Sequence, residues 1–139
     1  MKFSTRARYG MRAMLDLAIN GNGNLVLLKD IAKRQEISKR YLEHMMTMLR
    51  NRNLVVAERG AAGGYRLARP ASEIRLDEIF EALEGEIATV ECVMNSSVCQ
   101  RADDCVVRDL WCDISAAMRQ VLHDQTLAGL MERWEKQQP

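Results

Sequence analysis

The sequence predicts a mainly α-helical chain interrupted by one small β-ribbon. Three observations carry this. Apolar residues recur at helical spacing through most of the 139 residues. The period changes to strand-like runs at Leu54-Val55-Val56-Ala57 and Tyr65-Arg66-Leu67-Ala68. Between those runs lies Arg59-Gly60-Ala61-Ala62-Gly63-Gly64, whose glycines permit the positive φ of a tight turn.

Residues 5–20 read as the first helix, with Ala7, Met11, Met14, Leu15 and Ala18 on one face. The turn formers Asn20-Gly21-Asn22-Gly23-Asn24 end it. Arg8 and Arg12 are one turn apart beside that face. They could reach phosphates or an acidic partner, or be solvated. Leu28, Ile31 and Ala32 mark a short amphipathic helix, and Glu36-Ile37 make a turn. Ser38 then stands where a helix begins, because its hydroxyl can accept from an orphan N–H of the first turn. Leu42, Met45, Met46 and Leu49 follow at i, i+3, i+4 and i+7, one buried face. The other face carries Lys39, Arg40, Glu43, His44, Thr47 and Arg50. Helix, turn, helix, β-ribbon is the order of a winged helix-turn-helix, whose second helix enters a DNA major groove. A solvated basic face is the plainer reading of the same residues.

After Pro70, Leu76, Ile79, Phe80 and Leu83 predict a short helix that Gly85 stops. Its polar side, Asp77, Glu78, Glu81 and Glu84, reads as plain solvation. From Glu86 to Asp104 the periodicity fails, and an irregular loop of that length is usually functional or disordered. A long helix then runs from about Asp104 to His123. Val106, Val107, Leu110, Trp111, Ile114, Met118, Val121 and Leu122 give it a broad apolar stripe. A small domain can hardly cover that stripe, so a second copy in a two-fold dimer is expected to do so. Thr126 can cap a last helix carrying Leu127, Leu130, Met131 and Trp134. The organisation read from this is a winged helix-turn-helix over 1–85, a cysteine loop over 86–104, and a dimerisation helix plus C-terminal helix over 105–139.

Charge is divided unevenly. Residues 1–70 hold 14 Lys/Arg against 5 Asp/Glu, and residues 71–139 hold 6 against 14. A basic half coinciding with a helix-turn-helix pattern favours nucleic acid over acidic protein or membrane. No apolar run approaches the roughly 18 residues of a membrane span. The start, MKFSTRARYG, has no apolar h-region. A cytoplasmic protein is therefore expected. Catalysis finds little support. The histidines are His44 and His123, there is no P-loop, and the glycines between strands are in the wrong context for a dinucleotide fingerprint.

Cys92, Cys99, Cys105 and Cys112 follow a C-x6-C-x5-C-x6-C pattern. In a cytosolic chain such clustering argues for metal or redox chemistry. Zinc sites favour short C-x2-4-C pairs, which are absent here. Thiolates on a loop that runs into a helix can wrap an iron–sulfur cluster, and the helix start favours an anionic group. Zinc and free redox thiols remain alternatives at this level. Cys112 lies ~10 Å along the helix from Cys105. It is a candidate fourth ligand, or a small buried hydrophobe. Arg108 is nearer, but a guanidinium stays protonated and does not ligate iron.

The residues together resemble the Rrf-type winged-helix transcription regulators, the group that contains IscR, NsrR and CymR. The resemblance rests on Thr5, Arg8-Tyr9, Ala13-Met14-Leu15-Asp16, Ile37-Ser38, Tyr41-Leu42-Glu43, Leu49-Arg50, Arg59-Gly60 with Gly63-Gly64-Tyr65, three spaced cysteines and Leu110-Trp111. It implies a homodimer crossed through the long helix and bound to a palindromic operator in double-stranded DNA. The implied contacts are Ser38, Lys39, Arg40, Tyr41, Glu43, His44, Thr47 and Arg50 on the second helix. Arg59, Gly60, Gly63, Gly64 and Tyr65 would serve on the wing. Glu43 would read the major groove and Arg59 would enter the minor groove. The resemblance also implies a [2Fe–2S] or [4Fe–4S] cluster on Cys92, Cys99 and Cys105. This chain departs from the pattern at the fourth ligand. Arg108 stands where some members place a histidine, and Arg8 where others lend an aspartate from the partner. The expected function is a redox, nitric-oxide or iron–sulfur sensing regulator, not an enzyme. The alternatives are a metal-free thiol-redox or enzyme-docking repressor of the same fold, and a zinc-bound interaction module.

Overall fold

The computed structural model describes residues 2–139. Helix α1 (Thr5–Gly21) begins at Ser4, whose hydroxyl accepts from the Ala7 N–H at 3.0 Å. It ends on Asn22 in the left-handed region. Helix α2 (Leu28–Gln35) ends on Glu36 at φ 55°, which turns the chain into α3 (Lys39–Asn51). The expected cap is present, with the Ser38 hydroxyl accepting from the Tyr41 N–H at 3.2 Å. Strands β1 (Val55–Glu58) and β2 (Gly64–Leu67) pair antiparallel, Val55 opposite Leu67 and Glu58 opposite Gly64. Helix α4 (Leu76–Glu84) stops at Gly85. The short α5 (Glu91–Met94), α6 (Val106–His123) and α7 (Leu127–Gln137) complete the chain. Among the described residues no helix is long and apolar enough to cross a membrane.

The core follows the predicted periodicities. Met14 and Leu17 of α1, Ile31 of α2, and Leu42, Met45, Met46 and Leu49 of α3 are fully buried with Ile79 and Leu83 of α4. Leu127 is fully buried there as well. Its N–H donates to the Ile74 carbonyl at 2.9 Å, and Thr126 bridges to Arg75. The sequence groups α7 with the long helix, whereas in the structure α7 returns to α1 and seals the N-terminal core.

A buried carboxylate joins α1 to α2. The Asp16 side chain is 1% exposed and accepts from Arg34 at 2.9 and 2.7 Å. It also accepts from the Gln35 amide at 2.8 Å. The hydrogen bond to Asp16 pushes the Arg34 guanidinium further above its ordinary pKa, against a smaller effect of burial. Because Arg34 stays over a third exposed, solvent screens part of this attraction, and the network contributes on the order of 2 kcal/mol. Arg12 adds a bond to the Gln35 carbonyl at 2.6 Å and lies over the Tyr9 ring. Its guanidinium thus serves α1–α2 packing.

The acidic side of α4 is not plain solvation. Glu78 accepts from the Arg75 N–H at 2.9 Å and from Arg69 at 3.0 Å. Glu84 accepts from the Ser4 hydroxyl. Asp77 meets Arg75 at 3.0 Å and His123 Nδ1 at 2.9 Å, tying α4 to the end of α6. These partners lie up to 80 residues away, so the sequence pattern of α4 alone could not reveal them.

Partial burial pushes the Asp77 carboxyl up, but the bonds from His123 and Arg75 outweigh it and hold it below the usual carboxylate range. A depressed folded-state pKa gives stability that is full above the unfolded value of about 4 and is lost as pH falls through the folded value. Asp77→Asn should therefore flatten the acid limb. Denaturant unfolding at pH 7 and pH 3 should show the wild type losing roughly 1 kcal/mol more than the variant. Equal losses would assign acid sensitivity to other carboxylates.

Candidate nucleic-acid interface and cysteine loop

Helix α3 divides into two faces. Its apolar face is buried, and Lys39, Arg40, Glu43, His44, Thr47 and Arg50 are exposed on the other. An open groove of about 350 Å³ runs between this face and the ribbon. Lys29, Lys39, Arg50 and Arg59 supply four cations to its lining, and Glu43 and Glu58 two carboxylates. Among the described residues none of these six forms an ion pair within the protein. A concave, mainly cationic surface beside an exposed helix face suits a polyanion.

Several predicted contact residues have work inside the fold. The Ser38 hydroxyl caps α3. Tyr41 is half-buried and meets the Tyr9 ring edge-on at 6.4 Å between centroids. The Thr47 hydroxyl donates to the Glu43 carbonyl at 2.9 Å. The wing is anchored by Tyr65 and Val26, which exchange backbone bonds of 2.8 and 2.9 Å. Gly63 is buried and its N–H donates to the Gly60 carbonyl at 3.0 Å. A Cβ at Gly63 would collide with the Glu58 carbonyl, and one at Gly64 with the Val26 carbonyl. These two glycines are therefore required by close backbone approach. Arg59 and Gly60 are exposed at the ribbon tip.

The loop after α4 is strapped to α6. Ser115 is the buried residue of α6, and its hydroxyl meets the Thr89 N–H at 2.9 Å and the Thr89 hydroxyl at 3.0 Å. Arg119 donates to the Ile87 carbonyl at 2.8 Å. Sequence reasoning missed both anchors, although one small polar residue inside an apolar stripe was a signal. Met118 and Leu122 pack on Ala7, Phe80 and Ile87. Trp111 is half-buried, and the rest of the stripe is open, with Val106 80%, Leu110 52% and Val121 56% exposed.

Beyond the strap the irregular segment folds into single turns, at 91–94, 96–98 and 102–104. Cys92 lies half-buried on α5, and Cys99 is exposed. Cys105 is the N-cap of α6, half-buried, and its Sγ accepts from the Arg108 N–H at 3.4 Å. Cys112 is half-buried farther along α6. All four thiols are free. Among the described residues no three His, Cys, Asp or Glu side chains are gathered as a metal ion requires. As a donor set, three free thiols within 14 residues fit an iron–sulfur cluster, which thiolates hold. In this conformation two of them stand at the base of α6, and the third is out in the loop.

The profile of the Rrf2 family, described as iron-dependent transcriptional regulator, matches residues 3–133. Protein rrf2 of Nitratidesulfovibrio vulgaris is 42% identical over 131 residues, covering 94% of this chain and 87% of that protein. Two solved structures are similar throughout. CymR, the global cysteine regulator of B. subtilis, superposes with a TM-score of 0.78 at 36% identity, covering 96% of this chain and 98% of that one. IscR of T. potens gives 0.81 at 34% identity, covering 100% and 93%.

Proposed function

The chain belongs to the Rrf2 family of transcriptional regulators, and from that premise we propose that it acts as a homodimer on a palindromic operator under the control of an iron–sulfur cluster. The relatives and structural neighbours are regulators and not enzymes. The observation that carries the finer reading is that two free thiols at the base of α6 and a third in the adjoining loop sit beside a helix whose apolar stripe is partly uncovered. Cys92, Cys99 and Cys105 would hold the cluster. When bound it supplies a thiolate-iron crosslink sensitive to oxidants and nitric oxide. Three thiolates suit a [2Fe–2S] or a [4Fe–4S] cluster that leaves one iron open to a ligand from outside, with Cys112 the alternative fourth ligand within this chain.

The chain's own residues supply the linkage. Thr89 and Ile87 fasten the loop to Ser115 and Arg119 of α6. His123 fastens the far end of α6 to Asp77 of α4, within the DNA-binding core. Reordering of the cysteine loop would thereby act on α6. Met118 packs on its own domain, so in a dimer joined through the open residues Leu110, Ile114 and Val121 this reordering would alter the separation of the two α3 helices. Each α3 would present Lys39, Arg40, His44, Thr47 and Arg50 to the major groove with Glu43, and Arg59 would reach the minor groove.

Both DNA contacts can be tested by selection and titration. Arg59→Ala should weaken operator binding by about 1–3 kcal/mol and random-sequence binding by less. Equal weakening would reduce Arg59 to a phosphate contact. A carboxylate facing DNA costs affinity unless it accepts from a cytosine amine. Glu43→Ala should therefore relax base preference more than it lowers affinity. An unchanged selected sequence would remove Glu43 from the readout.

The dimer seam is tested by Ile114→Glu, which places an unpaired charge in the stripe at considerable cost. Light scattering should report a monomer. A dimer with full operator affinity would put the seam elsewhere.

Anaerobic reconstitution decides the cofactor. The wild type and Cys112→Ala should both take up iron and sulfide with near-identical visible spectra, while Cys99→Ala should not. A colourless Cys112→Ala would establish a four-cysteine site. A colourless, metal-free wild type would favour a thiol-redox regulator of the same fold, and stoichiometric zinc an interaction module.

A further inference from the structure

The cysteine segment contains a contact that the DNA-binding reading does not use. Arg108 sits in the first turn of α6 and is half-buried. Its Nε donates to the Cys92 carbonyl at 3.0 Å. Its backbone N–H donates to the Cys105 Sγ at 3.4 Å. One residue therefore touches both the α5 segment and the cap of α6. Asp104 and Asp109 flank it in sequence, yet among the described residues Arg108 has no carboxylate partner. Its guanidinium is spent on a backbone carbonyl next to a thiol. A planar, pre-organised guanidinium loses little freedom in such a bond, and it does not compete with thiolates for a metal.

Cys99 is held differently. Its own turn is closed by local backbone bonds, from the Cys99 N–H to Ser96 at 3.4 Å and from the Ala102 N–H to Cys99 at 3.2 Å. The thiol is exposed, and buried Ala102 pins the chain just beyond it.

We propose that Arg108 is a positioning residue for the cysteine site. It clasps the Cys92 segment to the first turn of α6, so that Cys92 and Cys105 form a prearranged pair and Cys99 joins last. The proposal rests on the reading of these three thiols as one ligand set. Two ligands held in advance lower the ordering cost that an incoming metal would otherwise meet.

The test uses the whole metal-free protein, reduced and without oxygen. Iodoacetamide labelling is followed thiol by thiol with mass spectrometry. In the wild type Cys99 should label fastest. Arg108→Ala should speed Cys92 labelling by about tenfold, the worth of one charge-assisted hydrogen bond. Cys99 and Cys112 should keep their wild-type rates. Loss of a nearby cation slows thiol alkylation in general, so a faster Cys92 reports exposure. Arg108→Lys, which can still donate to the carbonyl, should restore most of the protection. Uptake of ferrous iron and sulfide should be slower in Arg108→Ala than in the wild type, with Arg108→Lys between them. An unchanged Cys92 rate overturns the clasp, and so does an equal rise at all four cysteines. If the wild type takes up no iron, the cluster reading fails by itself. The Cys92 rates then still decide the role of Arg108.

Discussion

The Asp16 carboxylate fixes how the first two helices meet, and the surface proposed to face DNA depends on that angle. It lies within the apolar side of α1 and takes three hydrogen bonds from the last turn of α2. Losing Arg34 and Gln35 would leave a charge in the core without partners, which is costly. The pair therefore permits one seating of α2 on α1. Because Glu36 turns the chain immediately into Ser38, the seating of α2 sets the direction of α3. The ribbon is referenced to the same frame through Val26, just ahead of α2, which pairs with Tyr65. Helix α3 and the wing are thus positioned from one corner of the molecule.

Local chemistry was legible in the sequence wherever partners were close along the chain. The i, i+3, i+4, i+7 pattern of α3 separated its faces correctly. Ser38, Gly85 and Thr126 marked helix ends through bonds made within a turn. The wing glycines were recognised as turn formers. That Gly63 and Gly64 answer to close backbone approach required knowing where Val26 runs. Long-range polar contacts were not legible. Asp77, Glu78 and Glu84 look like a solvated face, because Arg69, His123 and Ser4 are brought to them only by the fold. Asp16 is a carboxylate among apolar neighbours, and nothing local names Arg34 and Gln35 as its partners. The return of α7 was also hidden, since its apolar spacing does not say which surface it covers.

The cysteine segment shows the opposite balance. Its spacing suggests metal or redox chemistry, whereas its conformation could not be read, because single turns closed by backbone bonds carry no hydrophobic period. The structure places Cys105 as a helix cap and Arg108 as a bridge to Cys92. The proposed ligand role and helix capping thus fall on the same thiol. Engaging Cys105 with a metal would alter the first turn of α6 as well as the loop.

Helix α6 is held to its own domain at its C-terminal half, through Ser115, Arg119, Leu122 and His123, while Val106 and Leu110 at its start stand largely in the open. A rod fastened over one half and loaded at the other is a cantilever. Ser115 lies ~15 Å from Cys105 by the helical rise, and the helix is stiff over that length. A small tilt at the anchored half becomes a larger sideways travel at the tip, and a push at the tip returns as torque on α4. Cys105, and the Cys92 segment bonded to Arg108, sit at the end with the longest lever arm.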